Sequence, residues 1–426
     1  MYSKSYYKVA IIGLGYVGLP LYILINKKKI HVRGFDVDQK KIKLLKRNIS
    51  TNSDIKNSEL ARIKSKNFFN MSDCKLIKDC NLIIFCLPTP LTKKNRPDLS
   101  FIKIAFNKIK KFISSDTLLI LESTVYPGAT REIFENYIKN NFDLKNKVDF
   151  GFSSERICPG QIGPDYKIKY EDITKVISIN NLNFRNKIEN FYKMIFKTTY
   201  MTETIEVAEM SKLLENSYRS VNIGLINEMK LICMKSNIDI FKVIKAAATK
   251  PFGFTSFLPG PGVGGHCIPI DPVFVSWFAK RNNSKADFVE LARTTNLNIT
   301  KNISKKLIKI LYTNKDHGNN KILIIGVAYK EEINDYRESP AITIIEELIK
   351  KKLNVDFYDP FIKEIKINSK IIKGLKNLDN IKSYKVCALL TAHKKLPYKF
   401  ILKNANLIVD TKGKFSELNN NIIINL

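Results

Sequence analysis

A segment rich in glycine and proline carries the residue types best suited to covalent chemistry in this chain. Residues 259–269 contain four glycines and three prolines, so the backbone there can wrap closely around a ligand. Cys267 lies in this segment, and Asp271 follows four residues later. A lone cysteine is by default an inert buried thiol. The composition of this loop favours a nucleophile instead.

The stretch 203–235 follows a helical period and predicts one long helix. Lys212 and Asn216 lie four residues apart, so they share one face of that helix. Arg219 and Asn222 continue the polar stripe. A solvated face is one interpretation of the stripe. Because apolar residues flank it, the other interpretation is a wall lining a cleft.

The start of the chain predicts a dinucleotide-binding turn. The apolar run Lys8–Ile12 predicts a buried parallel strand, and a GxGxxG sequence follows it. In such a turn Gly13 allows the sharp bend, Gly15 lets a pyrophosphate approach, and Gly18 lets helix and strand pack closely. The helix N-terminus offers N–H groups to the phosphate. The alternative is a glycine-rich turn without a cofactor, as in any α/β protein.

A second predicted strand ends in an acid at the spacing that ribose binding requires. Asp36 ends the strand that begins at His31, and it follows Gly18 by 18 residues. A carboxylate there can hold the ribose hydroxyls and repels the extra phosphate of NADP. Asp38 competes for this role, and Lys41 could cover the adenosine side. The predicted cofactor is therefore NAD.

Three further predicted strands, near 81–87, 117–121 and 150–154, end in polar loops. In a doubly wound sheet, ligands bind at the carboxyl ends of the strands. The polar residues at these ends are Thr89, Glu122, Ser123, Thr124, Glu155 and Arg156. The serine and the threonines can instead cap helices, and position alone leaves both interpretations open.

The C-terminal part predicts a second Rossmann-like unit. Its predicted strands lie at 321–325, 354–359, 386–390 and 407–409, with a helix from about Ser339. Only Gly326 of the glycine fingerprint is present, so this unit should not bind a second NAD in the same manner. Tyr329, Lys330 and Arg337 lie in its first strand-end loop, where the two basic residues suit anionic phosphates.

Composition narrows the class of protein. The 426 residues carry 71 Lys and Arg against 40 Asp and Glu, a net charge of +31, with 44% apolar and 26% charged residues. These values are typical of a globular protein of two or three domains. An excess of basic residues can indicate a protein that binds nucleic acid. However, only 11 of the 71 basic residues are arginine and the lysines are spread along the chain, so a solvated surface is favoured.

Cysteine usage and the apolar segment 9–25 bear on the compartment. The seven cysteines include no CxxC pair, so neither a disulfide framework nor a zinc site is expected, and the chain should be cytoplasmic. The segment 9–25 lacks charge and resembles a signal peptide or anchor. Its three glycines and Pro20 fit the dinucleotide turn better, so we expect no membrane insertion.

Together these segments resemble the UDP-glucose/GDP-mannose dehydrogenase family over nearly the whole chain. The resemblance rests on GLGYVG, CLPTP, ESTVYPG, SERICPG, AEMSKLLENSYRSVNIGLINE, PGVGGHCIPIDP and GVAYKEEINDYRESPA. The longer loop TKPFGFTSFLPGPGVGGHCIPIDP is similar to that of the UDP-N-acetylglucosamine 6-dehydrogenase branch. We expect an α/β fold with two Rossmann-like doubly wound domains joined by a central helical domain with one long helix. The expected domains are 1–200 for NAD, 201–310 with the Cys267 loop, and 311–426 for the UDP-sugar.

The resemblance implies two oxidations at C6 of a nucleotide-linked sugar, using two NAD+ and one water. Cys267 would form a thiohemiacetal and then a thioester. Lys212 and Asn216 would stabilise the C6 oxygen, Asp271 and Thr124 would hold or activate a water, and Glu155 would serve thioester hydrolysis. Implied cofactor contacts are Gly13, Gly15, Tyr16, Val17, Gly18, Asp36, Lys41, Thr89, Ser123, Thr124 and Arg337. Implied substrate contacts are Glu155, Arg156, Lys212, Asn216, Arg219, Gly262, Gly264, Tyr329 and Lys330.

Two departures bear on the sugar. Many UDP-glucose enzymes carry an acid where this chain has Pro159 and a lysine where it has Ile270. Both changes fit the acetamido-sugar branch, in which Arg219 and Asn222 could read the N-acetyl group. We therefore expect UDP-N-acetylglucosamine as substrate, with the uronic acid serving surface polysaccharide (capsule or lipopolysaccharide O-antigen) synthesis. UDP-N-acetylgalactosamine, UDP-N-acetylmannosamine and UDP-glucose remain alternatives.

Other expectations concern partners. The long helix could pair two subunits, so we expect a homodimer or a higher homo-oligomer and no nucleic-acid partner. A basic nucleic-acid-binding protein and a Rossmann reductase acting on another small molecule are the rival hypotheses. Neither accounts for the Cys267 loop.

Overall fold

The computed structural model describes residues 2–52, 54–63, 67–140, 147–157, 168–313, 320–418 and 420–426. Cys158 and Pro159 lie outside the described residues. The chain forms two compact units, the first comprising Met1–Glu215 with Val273–Asn283 and the second comprising Asn216–Pro272 with Ser284–Leu426. The expected boundaries near residues 200 and 310 stay a prediction.

The first unit is built on one eight-stranded sheet. Its strands are β1 (Lys8–Ile12), β2 (His31–Asp36), β3 (Phe68–Asn70), β4 (Leu82–Phe85), β5 (Leu118–Leu121), β6 (Asp149–Ser154), β7 (Lys175–Ile179) and β8 (Thr199–Met201). The spatial order is β3-β2-β1-β4-β5-β6-β7-β8, and every neighbouring pair is parallel except β6 and β7. The first six strands follow the order of dinucleotide-binding sheets, in which the ligand crevice opens between β1 and β4.

Six helices accompany this sheet: α1 (Gly18–Lys27), α2 (Gln39–Lys46), α3 (Asn57–Ala61), α4 (Ser100–Ile109), α5 (Ala129–Lys139) and α6 (Arg185–Ile195). Strands β4 and β5 are buried along their whole length, as parallel strands covered on both faces must be. Helix α1 buries Leu19, Leu21, Tyr22 and the three residues after it, so the uncharged segment 9–25 is a strand, a turn and a core helix. Within the described part of the chain, no helix is long and apolar enough to span a membrane.

The second unit contains a five-stranded sheet and a hairpin. The strands are β9 (Lys321–Ile325), β10 (Asn354–Tyr358), β11 (Glu364–Ile367), β12 (Lys370–Lys373), β13 (Val386–Leu389), β14 (Ile408–Asp410) and β15 (Ile423–Asn425). The sheet order is β10-β9-β13-β14-β15, all parallel, and β11 pairs antiparallel with β12. This is also a doubly wound order, with its crevice between β9 and β13.

The remaining helices are α7 (Ile205–Lys235), α8 (Ile240–Ala247), α9 (Asp271–Arg281), α10 (Asp287–Thr313), α11 (Pro340–Lys350) and α12 (Tyr398–Asn404). Helix α7 is the long helix predicted over 203–235, and Ser339 caps α11 as its predicted start requires. The predicted fold class, two doubly wound sheets and one long helix, is confirmed. The six cysteines that the structure describes form no disulfide.

Candidate functional site

The turn between β1 and α1 uses its three glycines for two different purposes. Gly13 has φ +98°, and a Cβ there would lie 2.4 Å from the carbonyl oxygen of Cys86. A Cβ on Gly18 would lie 1.9 Å from the Gly13 oxygen. A Cβ on Gly15 would meet no described atom within 4 Å. Gly13 and Gly18 therefore serve the fold, whereas the open space at Gly15 fits a ligand pyrophosphate.

Val17 and Tyr16 complete this turn, and both are half-buried. Val17 precedes α1, and its side chain cannot accept hydrogen bonds from the first-turn N–H groups. A helix N-terminus without a side-chain cap is suited to binding a phosphate.

Asp36 and Asp38 have separate roles. Asp36 ends β2 and is 6% exposed, and its Oδ2 accepts hydrogen bonds from Leu14 N at 2.9 Å and Lys41 Nζ at 2.7 Å. Asp38 instead caps α2, where its Oδ1 accepts from the N–H groups of Lys41 and Lys40 and these bonds lower its pKa. Asp36 therefore supports the glycine turn, while Asp38 is an exposed helix cap, and the assignment of the ribose to Asp36 stays a prediction.

The polar residues after β4 and β5 do not begin helices. Ser123 Oγ accepts a hydrogen bond from Leu87 N at 2.9 Å and donates to Phe85 O at 3.4 Å, which joins the two strand ends. Thr89 and Thr124 are half-buried in the loops that follow. Because α4 and α5 are preceded by other residues, the helix-cap alternative for all three is wrong. They line the edge of the sheet where a cofactor would bind.

A buried charge cluster lies at the carboxyl ends of β5 and β6. Lys175 Nζ contacts Glu122 Oε2 at 3.0 Å and Glu155 Oε2 at 2.9 Å. Tyr192 OH donates to Glu122 Oε1 at 2.5 Å, and Tyr170 OH donates to Glu155 Oε2 at 2.6 Å. The lysine and the two glutamates are 3%, 0% and 8% exposed. We use the name buried charge cluster for these five residues. Sequence reasoning found the two glutamates but missed their cation and both tyrosines.

Glu155 has donors on both carboxylate oxygens. Its Oε1 accepts the N–H groups of Arg156 at 2.7 Å and Ile157 at 2.6 Å. Burial alone would raise its pKa, but the Lys175 ammonium and the hydroxyl bond outweigh burial and lower the pKa of Glu155. At Glu122 burial outweighs the same lysine, and the pKa is raised. The pKa values of the two glutamates therefore shift in opposite directions although they share one cation.

Lys212 and Arg156 occupy different environments in the first unit. Lys212 is 7% exposed, and its Nζ has no hydrogen-bond or ion-pair partner among the residues that the structure describes. The ammonium of this largely buried side chain is therefore available to a ligand, which suits the predicted binding of a negative oxygen. The guanidinium of Arg156 is already engaged, by an ion pair with Glu215 and a bond to Thr174 O at 3.2 Å.

The polar stripe continues along α7 with different exposure. Asn216 is buried, Arg219 is exposed, and Asn222 is half-buried. The amide of Asn222 donates to the carbonyl of Tyr218 on its own helix at 2.7 Å. Arg219 and Asn222 therefore occupy the exposed end of the stripe, and Asn216 its buried part.

Cys267 and Asp271 bracket a tight turn in the second unit. The carbonyl of Cys267 accepts the N–H groups of Ile270 at 3.1 Å and Asp271 at 2.8 Å, which directs the chain into α9. Asp271 is the first residue of α9 and is 2% exposed. Its Oδ2 accepts a hydrogen bond from Asn216 Nδ2 at 2.5 Å. The structure thus brings together two residues that the sequence assigned to separate motifs.

The glycines before Cys267 lie directly against the loop that follows β9. A Cβ on Gly265, which has φ +84°, would lie 2.7 Å from the Tyr329 ring, and a Cβ on Gly264 would lie 2.8 Å from Tyr329 Cβ. Gly262 has φ +135°, and a Cβ there would meet a protein atom at 2.3 Å. Gly265 N also donates to Arg337 O at 3.2 Å. These positions require glycine because neighbouring protein atoms leave no room for a side chain.

The β9 loop holds its predicted basic residues in different ways. Arg337 places Nε and Nη2 on the carboxylate of Asp335, with the shortest distance 2.6 Å. Lys330 is half-buried beside Tyr329. The guanidinium of Arg337 is thus bound to a neighbouring acid, a pairing that their separation of two residues could have suggested.

A second acid supports this loop as Asp36 supports the first turn. Asp359 follows β10, and its Oδ2 accepts Val327 N at 2.8 Å and Ala328 N at 3.1 Å. His393 Nε2 lies 3.1 Å from the same oxygen, and both side chains are fully buried. The sequence offered one signal for this role, an acid directly after the second strand of each sheet.

The strand order, the glycine turn and Asp36 define a dinucleotide-binding protein of the Rossmann class, and the second unit adds a loop-borne cysteine. Three models of one family match the chain: the NAD binding domain at residues 7–196, the central domain at 206–298 and the UDP binding domain at 323–417. The chain belongs to the UDP-glucose/GDP-mannose dehydrogenase family. It is accordingly a nucleotide-sugar dehydrogenase whose cofactor is NAD.

Individual relatives agree with this assignment. Protein CapL of Staphylococcus aureus is 34% identical over 95% of each chain. The UDP-N-acetyl-D-glucosamine 6-dehydrogenase of Pseudomonas aeruginosa is 34% identical over 83% of each chain. The structure of UDP-D-ManNAc dehydrogenase from Pyrococcus horikoshii superposes with a TM-score of 0.82 at 25% identity, covering 95% of each chain. The similar proteins therefore include enzymes named for two epimeric sugars.

Proposed function

We propose that the chain oxidises C6 of UDP-N-acetyl-D-glucosamine to the uronic acid, using two NAD+ and one water, for surface polysaccharide synthesis. The observation that carries the proposal is the arrangement of Cys267, Asp271 and Asn216 within one unit. Cys267 and Asp271 share a turn, and Asn216 donates to the buried Asp271 carboxylate. A nucleophile beside an organised acid and amide is the equipment of covalent aldehyde oxidation.

The proposed chemistry balances in four steps. The C6 alcohol loses its hydroxyl proton and a hydride, which the cofactor accepts, and becomes an aldehyde. The Cys267 sulfur then bonds to C6, and Lys212 and Asn216 stabilise the negative oxygen until it is protonated. Loss of that proton and a second hydride gives a thioester. Water attacks the thioester, the C–S bond breaks, and the products are a carboxylate, the thiol and one proton.

The other site residues take supporting roles in the proposal. Asp271 and Thr124 hold or activate the water, and Glu155 serves hydrolysis. The proposed NAD contacts are Gly13, Gly15, Tyr16, Val17, Gly18, Asp36, Lys41, Thr89, Ser123, Thr124 and Arg337. The proposed UDP-sugar contacts are Glu155, Arg156, Lys212, Asn216, Arg219, Gly262, Gly264, Tyr329 and Lys330. Asp335 binds Nε and Nη2 of Arg337, so the pair would orient the guanidinium and present its Nη1 side to the cofactor.

UDP-N-acetyl-D-mannosamine is the second candidate substrate. The 34% identity to the Pseudomonas aeruginosa enzyme supports the glucosamine sugar, whereas the 25% identity to the Pyrococcus horikoshii structure, which is named for the epimer, supports the second candidate. The two substrates differ only in the configuration of the carbon that carries the acetamido group. A pocket that discriminates them must therefore read one substituent.

A substrate panel tests the proposal. The purified chain receives NAD+ and, separately, the UDP derivatives of N-acetylglucosamine, N-acetylmannosamine, N-acetylgalactosamine and glucose. We expect two NADH per sugar and a product about 14 Da heavier, because two hydrogens are lost and one oxygen is gained. Only UDP-N-acetylglucosamine should be turned over efficiently, and a preference for another sugar would overturn that choice.

A cysteine pair tests the nucleophile. Cys267→Ser should abolish steady turnover, because the hydroxyl is a poorer nucleophile and leaving group than the thiol. Cys233→Ala removes a buried thiol on α7 and is the matched control, which should retain turnover. Wild-type turnover by Cys267→Ser would show that another residue is the nucleophile.

We further propose that two copies of the chain associate through α7. Its exposed apolar side chains are Val207, Leu214, Tyr218, Leu225, Met229 and Ile232. Their spacing places them on one helical face, and Leu214 and Leu225 are 67% and 54% exposed. Light scattering should give a dimer mass for the wild type and a monomer mass for Leu225→Glu, and a monomeric wild type would contradict the proposal.

A further inference from the structure

We propose that Lys175 and Glu122 are positioning residues for Glu155: Lys175 pairs with an ionised Glu155, Glu122 stays protonated, and this arrangement fixes the chain where it leaves β6. The inference rests on the proposed function, in which Glu155 serves thioester hydrolysis. It concerns the charge state of the buried charge cluster, which can be measured without substrate.

Charge balance permits one anion in the cluster. Its single ammonium, on Lys175, lies 3.0 Å and 2.9 Å from two carboxylates, and all three side chains are almost wholly buried. Ionising both glutamates would leave one buried negative charge without a counter-charge, which is strongly unfavourable. A neutral cluster with one shared proton avoids that cost.

Hydrogen-bond donors decide which glutamate keeps the proton. Four donors reach Glu155: the ammonium, the hydroxyl of Tyr170 and two backbone N–H groups. Only the ammonium and the Tyr192 hydroxyl lie within hydrogen-bond distance of Glu122 among the described residues, and with Glu122 protonated the second bond runs from its Oε1–H to the Tyr192 oxygen. A carboxylate with more donors is the better anion. The pKa directions agree, being lowered at Glu155 and raised by burial at Glu122.

The remaining titratable groups that face the cluster are neutral. Burial raises the pKa values of Tyr170, Tyr192 and Cys86 well above their ordinary range. Their hydroxyl and thiol protons therefore stay in place at neutral pH. Lys175 keeps its charge because the two glutamates raise its pKa against the effect of burial.

The cluster directs the backbone after β6. Strand β7 runs antiparallel to β6 with Ser154 opposite Val176, so Lys175 stands beside the first residue after β6. Glu155 Oε1 binds the N–H groups of Arg156 and Ile157, which ties the side chain to the path of its own backbone. Loss of the lysine would remove the cation from Oε2 and leave the carboxylate held only by Tyr170 OH and the two N–H groups, without a counter-charge.

Two isosteric substitutions distinguish the glutamates. Glu122→Gln replaces a protonated acid by a neutral amide and should keep kcat within about threefold. Glu155→Gln and Lys175→Met should slow thioester hydrolysis about 100-fold or more, the scale of one general acid–base group. Two NADH should then appear in the first turnover, and intact-protein mass spectrometry should show the acyl group on Cys267.

Lys187→Met is the matched control for stability. Lys187 lies in the same unit, its side chain is 1% exposed, and its Nζ contacts Asp116 Oδ1 at 2.9 Å. Its removal should lower Tm as Lys175→Met does but cause no acyl accumulation. The double variant Lys175→Met/Glu155→Gln, which restores a neutral cluster, should recover Tm relative to Lys175→Met without recovering hydrolysis.

Infrared difference spectra test the charge assignment without substrate. Wild type minus Glu122→Gln should show the C=O stretch of a protonated carboxyl at pH 7. Absence of that band, equal kinetic damage from both Gln variants, or no acyl accumulation in Lys175→Met would overturn the inference. If the wild type oxidises no nucleotide sugar, the proposed function fails, whereas the band still decides the charge state.

Discussion

Two alanine substitutions in the turn after β1 should separate stability from cofactor binding. Gly18→Ala adds a Cβ that would lie 1.9 Å from the Gly13 oxygen, whereas Gly15→Ala adds one that meets no described atom within 4 Å. The same methyl group, placed three residues apart, should therefore damage the fold at one position and only the ligand site at the other.

The size of each effect follows from these distances. A carbon–oxygen contact normally lies near 3.3–3.6 Å, so helix α1 must move by more than about 1 Å to admit the methyl group of Gly18→Ala. Overpacking of this kind costs about 1–3 kcal/mol, or roughly 2–12 °C in Tm for a unit of this size. Gly15→Ala should leave Tm unchanged or raise it slightly, since it restricts the unfolded chain by about 0.4–1 kcal/mol.

NAD+ affinity should be affected in the opposite way to Tm, with the larger loss in Gly15→Ala. The methyl group of Gly15→Ala occupies the space that fits a pyrophosphate, so NAD+ should bind at least about tenfold more weakly, a loss of about 1.4 kcal/mol. Differential scanning fluorimetry and calorimetric titration with NAD+ measure both quantities on the same samples. Wild-type affinity in Gly15→Ala, or an equal fall in Tm for both variants, would refute the reasoning.

Three further substitutions probe single contacts. Asn216→Leu removes the amide that donates to buried Asp271 and should lower the free energy of unfolding by about 1–3 kcal/mol, while the control Asn222→Leu should change it by less than about 0.5 kcal/mol in urea titrations. Burial raises the pKa of Glu209 to about 7 from 4.5, so the folded chain binds this proton more tightly and stability falls as pH rises through that range. Glu209→Gln should therefore make Tm depend less on pH between pH 4.5 and about 7. If the slope of Tm against pH is unchanged in this variant, Glu209 is not the cause of the pH dependence. Gly265→Ala, against the Tyr329 ring at 2.7 Å, should cost about 1–3 kcal/mol more than Gly253→Ala, which shares a positive φ but meets only a lysine Nζ at 4.0 Å.

Strands that are buried on both faces could be found from the sequence, whereas strands with charged or few residues could not. β1 and β9 appear at their predicted bounds because covered parallel strands form continuous apolar runs, and β2 does so because its terminal acid lies at the spacing that follows a glycine turn. β7 also begins with a lysine, but Lys175 is buried whereas Lys8 and Lys321 at the start of β1 and β9 are exposed, and a buried charge contradicts that pattern. β3 and β15 have three residues each, too few to show any period.

The site was predictable where local spacing determines it. Lys212 and Asn216 share a face of α7 because they are four residues apart, and Asp271 could be placed from its loop. Lys175 could not be found in this way, because it lies 53 residues from Glu122 and 20 from Glu155 and meets them only through the pairing of β7 with β6. Spacing along the chain carries no information about such a contact.

The close contact of Gly264 and Gly265 with Tyr329 constrains how specificity can be transferred between relatives. Since a side chain at either glycine would overlap Tyr329, the Cys267 loop and the β9 loop must have complementary shapes. A chimera that imports residues 257–272 from another dehydrogenase should work only when residues 326–340 come from the same donor. The interchangeable part of the second unit is therefore the pair of loops, not the cysteine loop alone.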